Sequence, residues 1–195
     1  MPKFPLRVLA ILIILAIWPA VGVWAADFVA TVIAVMDGDT VTVLDEDKRQ
    51  HKVRLAEIDT PESGQPYGHR AKEILAGLVH GRRVEVAERD TDRYGRLIAR
   101  LAVDGVDVNA EMVRQGAAWV YRRYATDQTL YGLEEQARRD KVGLWGLPEA
   151  ERQPPWEWRR QGRKRGAVSQ REEQPASPTL LEQVYRWGKR LLGQE

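Results

Sequence analysis

The chain has 195 residues, enough to form one ordinary domain with additional segments at its ends. Hydrophobic residues make up 44% of the sequence and charged residues 30%, which are the proportions of a soluble globular protein. The chain contains no cysteine, which excludes disulfide bonds, zinc–thiolate sites and thiol nucleophiles. Its three histidines (His51, His69 and His80) are scattered and show no metal-ligand spacing, so we assign them no role.

The amino-terminal segment, residues 1–25, has the pattern of an export signal. Lys3 and Arg7 precede an apolar run over residues 8–26. The run ends with small residues at the two positions that a signal peptidase reads, so cleavage before Ala26 is expected. An uncleaved membrane anchor is the alternative, because the run approaches the ~20 residues that span a bilayer. In either case the sequence predicts an exported protein, which is secreted or periplasmic, or membrane-anchored if the segment is not removed.

Charge divides the rest of the chain into two unlike parts. Residues 27–149 carry 18 Lys and Arg against 22 Asp and Glu, a net charge of −4, whereas residues 150–195 carry 10 against 6, a net charge of +4. A domain that bound polyanions by bulk attraction would be basic. Any polyanion bound by the first part is therefore held by a few placed groups.

The order of predicted elements indicates a small closed β-barrel. Runs rich in Val, Ile and Thr predict five strands, and apolar residues at helical spacing predict three helices. Asn109 is the predicted N-cap of the second helix and Gly116 its terminating residue. We therefore expect an α+β fold over residues 26–148, a five-stranded oligonucleotide-binding (OB-fold) barrel with about three helices. The predicted strands are 28–36, 40–44, 50–58, 83–87 and 96–103, and the predicted helices are 68–79, 110–115 and 127–141.

The carboxyl-terminal part has a different composition. Prolines and basic residues predict a linker over residues 149–178, although Trp156 and Trp158 are able to pack back on the domain. Residues 179–195 have apolar side chains on one helical face and basic side chains on the other, which predicts an amphipathic helix. A terminal helix docked on its own domain and a helix that contacts a membrane surface or a partner both fit this pattern. No obligate protein partner is evident.

The candidate functional carboxylates lie in two acidic motifs, Asp37-Gly38-Asp39-Thr40 and Asp59-Thr60-Pro61-Glu62. Each motif alone is typical of a turn, and Asp37-Gly38 is a strong hairpin signal. However, Asp39 begins the second predicted strand and Asp59 ends the third, so antiparallel pairing brings them side by side. Two carboxylates, a backbone carbonyl near Thr60 and several waters suit Ca²⁺, and Mg²⁺ stays open on chemistry alone.

Three further residues complete this constellation. Glu62 is close enough to the expected metal to accept a proton from water as a general base, or else it is a solvated loop acid. Arg54 on the third strand and Arg96 after a turn each carry a planar guanidinium that can bind phosphate oxygens and stabilise the charge of a five-coordinate transition state. Each is an ordinary surface arginine when taken alone. Together the residues predict a metal-dependent phosphodiesterase that acts on nucleic acid.

From about Phe28 to Gly146 the chain resembles the staphylococcal nuclease (thermonuclease) family. The resemblance implies an OB-fold barrel and Ca²⁺-dependent endonucleolytic hydrolysis of DNA and RNA, with little sequence preference and with 3′-phosphate ends. It rests on five ordered motifs: Asp37 to Val41, Val53 to Glu62, Asp92-Arg93-Tyr94-Gly95-Arg96, Asn109 to Gly116, and Gly143-Leu144-Trp145.

The same resemblance implies a role for each site residue. Arg93 and Tyr94 match positions that contact a terminal phosphate, and Tyr124 matches a stacking aromatic, which suits single-stranded or frayed substrates. The loop Ser63–Gly68 is shorter than in the type enzyme, and Arg122 stands at a second aromatic position. The implied catalytic centre consists of the Ca²⁺ ligands Asp39, Asp59 and the Thr60 carbonyl, the general base Glu62, and the transition-state donors Arg54 and Arg96.

Two other functions also fit the sequence. The first is a non-catalytic nucleic-acid-binding module on the same barrel, tethered at the cell envelope. The second is an envelope protein whose basic terminal helix binds a membrane or a partner. The acids at the site argue against the first alternative, because a pure binder gains nothing from carboxylates that face phosphates.

Overall fold

The computed structural model describes residues 26–163. The predicted signal or anchor segment (1–25) and the predicted terminal helix (179–195) lie outside these residues. Within them, no helix has the length and apolar character needed to cross a membrane.

Eight strands and four helices make up the described part of the chain. Two 3₁₀ turns, Gly143–Gly146 and Glu149–Glu151, lie between the third and fourth helices. The strands are β1 Phe28–Val35, β2 Thr40–Asp45, β3 Gln50–Leu55, β4 Ile58–Asp59, β5 Arg83–Thr91, β6 Leu97–Val103, β7 Val106–Asp107 and β8 Trp119–Val120; the helices are α1 Gly68–Val79, α2 Val108–Arg114, α3 Gln128–Arg139 and α4 over residues 155–163.

The five long strands close into a barrel, which confirms the predicted fold class. They are ordered β3-β2-β1-β5-β6, and a parallel pairing of β3 with β6 joins the two ends. Alternate side chains of each strand point inward, because successive residues of a strand face opposite sides. The barrel interior is therefore filled by valines and leucines, and α1, α2 and α3 contribute Leu75, Met112 and Leu130 to the same core.

The third predicted strand differs from the structure in one way that matters for the site. It was expected to run from Gln50 to Ile58, but the chain turns after Leu55, and Glu57 adopts a positive φ of 65°. The Glu57 carboxylate accepts hydrogen bonds from the backbone N–H groups of Thr126 (2.7 Å) and Asp127 (3.0 Å), which hold this turn in place. As a result Asp59 lies on the separate strand β4, which pairs with β8.

The predicted N-cap of the second helix was wrong. Helix α2 begins at Val108, and its cap is Asp107, whose side chain accepts a hydrogen bond from the Ala110 N–H. Asn109 is instead fully buried, where it donates to the Ala56 carbonyl at 2.9 Å and fastens the helix to the turn after β3. Gly116 follows the helix with a φ of 61°, as the prediction required.

A buried arginine connects the barrel to α2 and α3. The Arg100 side chain is only 3% exposed and pairs with Glu57 (2.9 Å), Asp127 (2.8 Å) and Asp107. These acids hold the turn before β4 and cap both helices. Arg100 therefore supports the segment that presents Asp59.

Replacing Arg100 with alanine should lower the free energy of unfolding by about 3–5 kcal/mol, because three carboxylates would lose a buried partner. Urea denaturation followed by circular dichroism measures this loss. Arg114→Ala is the matched control, since Arg114 forms an exposed pair with Glu111 that is worth less than ~1 kcal/mol. Equal losses in the two variants would show that the Arg100 cluster does not support the fold.

Candidate active site

An open cleft of about 1080 Å³ lies at the side of the barrel where β3, β4 and the β5–β6 hairpin meet. It is lined by acidic, basic and aromatic side chains. All nine residues singled out in the sequence line this one cleft: Asp39, Arg54, Asp59, Thr60, Glu62, Arg93, Tyr94, Arg96 and Tyr124. The structure therefore brings the predicted residues together, whereas their individual roles stay predictions.

The two aspartates predicted to lie side by side converge on one guanidinium. Arg54 Nη2 lies 2.9 Å from Asp59 Oδ1 and 3.2 Å from Asp39 Oδ2. The Arg54 side chain also donates to the carbonyls of Leu55 (3.1 Å) and Ile58 (3.2 Å), so its position is fixed by the turn after β3. Burial lowers the pKa of Arg54, but the carboxylates of Asp39 and Asp59 outweigh this and raise it above its ordinary value. The guanidinium therefore stays charged.

The Asp39 carboxylate is held by both acidic motifs. Its Oδ1 accepts from the Thr40 hydroxyl at 3.0 Å, and its Oδ2 accepts from the Thr60 N–H at 3.3 Å. This approach depends on Gly38, since a Cβ at that position would lie 2.6 Å from Thr60 Oγ1. The glycine of the first motif is thus needed for contact with the second.

Burial removes water from the carboxylates of Asp59 and Asp37, and their neighbours offset this loss only in part. Desolvation raises the pKa of Asp59, although hydrogen bonds and nearby guanidinium groups oppose it. Desolvation, together with the charge of Asp39, raises the pKa of Asp37 to about 6. Buried carboxylates with raised pKa values gain from an additional cation, because its charge offsets the lost hydration.

The residues at this point fit a hard divalent cation. Carboxylate oxygens of Asp39 and Asp59 and the carbonyl of buried Thr60 are the ligand types that Ca²⁺ and Mg²⁺ take. Within residues 26–163 no group of three or more His, Cys, Asp or Glu side chains is arranged to hold a metal. A cation at this place would therefore complete its coordination with backbone oxygen and water.

Glu62 lies at the edge of the same cleft with its side chain 40% exposed. Its backbone N–H donates to Gln65 Oε1 at 2.9 Å, and Gln65 Nε2 donates to the Gln153 carbonyl at 3.0 Å. Gly68 is also tightly placed, since a Cβ there would lie 2.0 Å from the Glu62 carbonyl oxygen. The short loop that follows Glu62 is therefore braced by the carboxyl-terminal segment.

Arg96 faces the cleft from the β5–β6 hairpin. Its guanidinium pairs with Asp92, at 2.7 Å between Arg96 Nη2 and Asp92 Oδ2, and lies 5.6 Å from the Tyr94 ring centroid. The Arg93 guanidinium lies 4.8 Å from the same ring centroid, and Tyr94 itself is exposed. The hairpin therefore presents two guanidinium groups around one aromatic ring.

The side chains of Tyr124 and Arg122, which follow β8, point in different directions. Tyr124 is exposed at the rim of the cleft and packs edge-on against Tyr121. Arg122 turns away to pair with the buried Glu134 at 3.0 Å and to lie over the Tyr131 ring. Arg122, which the resemblance matches to a second aromatic position, therefore forms an ion pair with a buried acid instead of a stacking surface at the cleft.

Sequence reasoning missed Arg159. The segment from residue 149 was predicted to be a linker, but residues 155–163 form α4, and the Arg159 guanidinium reaches the site. It lies 2.7 Å from Asp59 Oδ2 and 2.5 Å from Glu62 Oε1. The available signal was the helical spacing of Trp156, Arg159 and Arg163, which puts one aromatic and two basic residues on one face.

Comparison with known proteins was consistent with this geometry. Residues 52–146 match the family model described as staphylococcal nuclease homologue. A micrococcal nuclease of Shigella flexneri is 43% identical over 166 residues, which cover 80% of this chain and 92% of the relative. An uncharacterized endonuclease of Escherichia coli is 44% identical over 143 residues, covering 73% and 90%, and the E. coli protein ParB is 43% identical over 171 residues, covering 82% and 93%.

Proposed function

Since this chain belongs to the staphylococcal nuclease family, we propose that it is an exported, Ca²⁺-dependent endonuclease that cleaves DNA and RNA with little sequence preference. The family and the endonucleases among the relatives establish a nuclease that hydrolyses nucleic acid. The metal, the range of substrates and the export belong to the proposal. The observation that carries it is the convergence of Asp39 and Asp59 on Arg54 in an open cleft beside Glu62.

The site residues support hydrolysis by water. Glu62 accepts a proton from the water that attacks phosphorus, and the bond from phosphorus to the 5′ oxygen breaks. The 5′ oxygen leaves with a proton from solvent, and the other product ends in a 3′-phosphate. Ca²⁺ bound by Asp39, Asp59 and the Thr60 carbonyl would supply Lewis-acid polarisation of a phosphate oxygen. Arg54 and Arg96 stabilise the charge that develops on the phosphate.

The rim of the cleft supports broad substrate choice. Tyr94 and Tyr124 are exposed aromatic side chains, and Arg93 and Arg123 lie beside them. Stacking on such rings accepts any base, because every base has a π face. Single-stranded or frayed DNA and RNA therefore suit this surface better than an intact duplex.

Two parts of the proposal concern segments outside the described residues. The basic and apolar pattern of residues 1–25 supports export, with membrane anchoring as the outcome if cleavage does not occur. The amphipathic pattern of residues 179–195 supports contact with a membrane surface. The site residues named above all lie outside these two segments.

The test is digestion of circular single-stranded DNA and of RNA by the purified protein. We expect cleavage in Ca²⁺, loss of cleavage in a chelator, and recovery when Ca²⁺ is returned. A circular substrate has no ends, so its cleavage shows internal cutting, and end analysis should find 3′-phosphates. Identically purified Glu62→Gln protein controls for contaminating nucleases.

Two results would contradict the proposal. Recovery by Mg²⁺ but not by Ca²⁺ would overturn the metal assignment. Binding of oligonucleotides without cleavage in either metal would support the non-catalytic binding module instead.

A further inference from the structure

We propose that Arg159 is a positioning residue that holds the catalytic carboxylates in the metal-free protein and competes with the divalent cation for Asp59. This inference rests on the proposed function, because it assigns Asp59 to the metal. It also gives the carboxyl-terminal segment a task within the site.

The contacts of Asp59 are the first support. Arg159 donates from Nη1 to Asp59 Oδ1 at 3.2 Å and from Nη2 to Asp59 Oδ2 at 2.7 Å, a two-pronged arrangement that engages both oxygens. Arg54 already donates to Oδ1 at 2.9 Å. A carboxylate offers about four acceptor sites, and three are used here on a side chain that is almost fully buried. A divalent cation at Asp59 would therefore meet a guanidinium of like charge.

The second support is the contact with Glu62. Arg159 Nη1 also lies 2.5 Å from Glu62 Oε1. While Oε1 accepts from Arg159, that acceptor position is closed to a water molecule. The Arg159 side chain thus binds both Asp59, the expected metal ligand, and Glu62, the expected base. If the Arg159 guanidinium moves away, it releases the carboxylates of Asp59 and Glu62 at the same time.

The third support is the way that α4 is attached. Trp156 stacks on Tyr121 with ring centroids 5.6 Å apart and packs edge-on against Trp119. These contacts fasten the start of the helix, whereas Arg159 lies about one turn further on with its side chain 34% exposed. The guanidinium can therefore move into the open cleft while the helix stays docked.

The experiment measures Ca²⁺ affinity by isothermal titration calorimetry in the absence of nucleic acid. Arg159→Gln should bind Ca²⁺ about tenfold more tightly than the unaltered protein, which corresponds to a site that is open roughly a tenth of the time when Arg159 is present. Arg159→Lys keeps the charge but cannot bind both oxygens of Asp59 as a planar guanidinium does. We therefore expect a Ca²⁺ affinity between those of the unaltered protein and Arg159→Gln.

Arg160→Gln is the matched control. Arg160 is the exposed neighbour on the same helix, so its replacement removes the same charge outside the cleft. Any general gain in cation affinity from the lost charge will appear in this variant too, and we expect roughly less than a twofold change because exposed charges are well screened. Thermal unfolding in a chelator gives a second readout, in which Arg159→Gln should melt at a lower temperature than Arg160→Gln.

Unchanged or weaker Ca²⁺ binding by Arg159→Gln would overturn the competition. Failure of every variant to bind Ca²⁺ would overturn it as well. The cleavage assay of the unaltered protein separates this inference from the proposed function. Cleavage together with unchanged affinity removes only the competition, whereas tighter binding by Arg159→Gln without cleavage by the unaltered protein removes the proposed function and keeps the competition.

Discussion

Glu62→Gln is expected to lower kcat by about two to four orders of magnitude, the range that a positioned general base supplies. Glutamine has the shape of glutamate but cannot accept the proton of the attacking water. The loop should keep its conformation, because Gln65 holds the backbone N–H of residue 62 rather than its side chain. KM should therefore change little. Hydrolysis of a labelled single-stranded oligonucleotide under single-turnover conditions in Ca²⁺ measures the effect.

Glu73→Gln is the control for Glu62→Gln. Glu73 is an exposed residue of α1 that pairs with Arg70 and does not line the cleft, so its replacement should leave kcat unaltered. If Glu62→Gln keeps kcat within about tenfold of the unaltered protein, the water is activated by another group, since a general base is worth at least ~10².

Arg96→Ala is expected to lower kcat by about 10²–10³-fold, the cost of removing one donor to the charge that develops in the transition state. Arg96 is held in the cleft by Asp92, whose carboxylate accepts from both its side chain and its backbone N–H. Although burial opposes it, hydrogen bonding to Arg96 lowers the pKa of Asp92, so the pair stays ionised at neutral pH. The guanidinium is therefore kept in place before the substrate arrives. Steady-state kcat and KM on the same oligonucleotide measure the loss.

Arg93→Ala provides the contrast, because Arg93 lies three residues before Arg96 on the same hairpin, with its guanidinium 4.8 Å from the ring centroid of the exposed Tyr94. Its loss should raise KM by a few-fold and leave kcat nearly constant, as expected for a contact made equally with substrate and transition state. Equal effects of the two substitutions on kcat would remove the special role of Arg96.

Hydrophobic periodicity was enough to predict the barrel and α1. The runs rich in Val, Ile and Thr that form β1 and β2, and the bounds of α1 at Gly68 and Val79, follow from local patterns that tertiary contacts reinforce. The meeting of Asp39 with Asp59 was also predicted, from the antiparallel pairing of β2 with β3, although Asp59 reaches this place on β4 after the turn at Glu57. In these places local preference and global packing agree.

The features that sequence reasoning missed depend on distant partners. The turn at Glu57 is held by backbone N–H groups of Thr126 and Asp127, about seventy residues away, and alternation alone would have continued the strand. Arg159 belongs to a proline-containing basic segment whose composition resembles a linker, and its helix is ordered by packing of Trp156 on Tyr121. The contacts of Glu57 leave no periodic trace in the local sequence, and the helical spacing of Trp156, Arg159 and Arg163 does not by itself distinguish a docked helix from a linker.

The strand pairing that closes the barrel determines when, during folding, the active site is completed. The parallel pairing of β3 with β6 places Arg54 opposite Ile98, two residues beyond Arg96, so both guanidinium groups lie along the closure. The two strands are more than forty residues apart in the chain, and pairings between distant segments are slow to form. Until this pairing forms, Arg96 is held apart from Arg54 and the two aspartates, and the complete set of site residues arises only when β3 and β6 join.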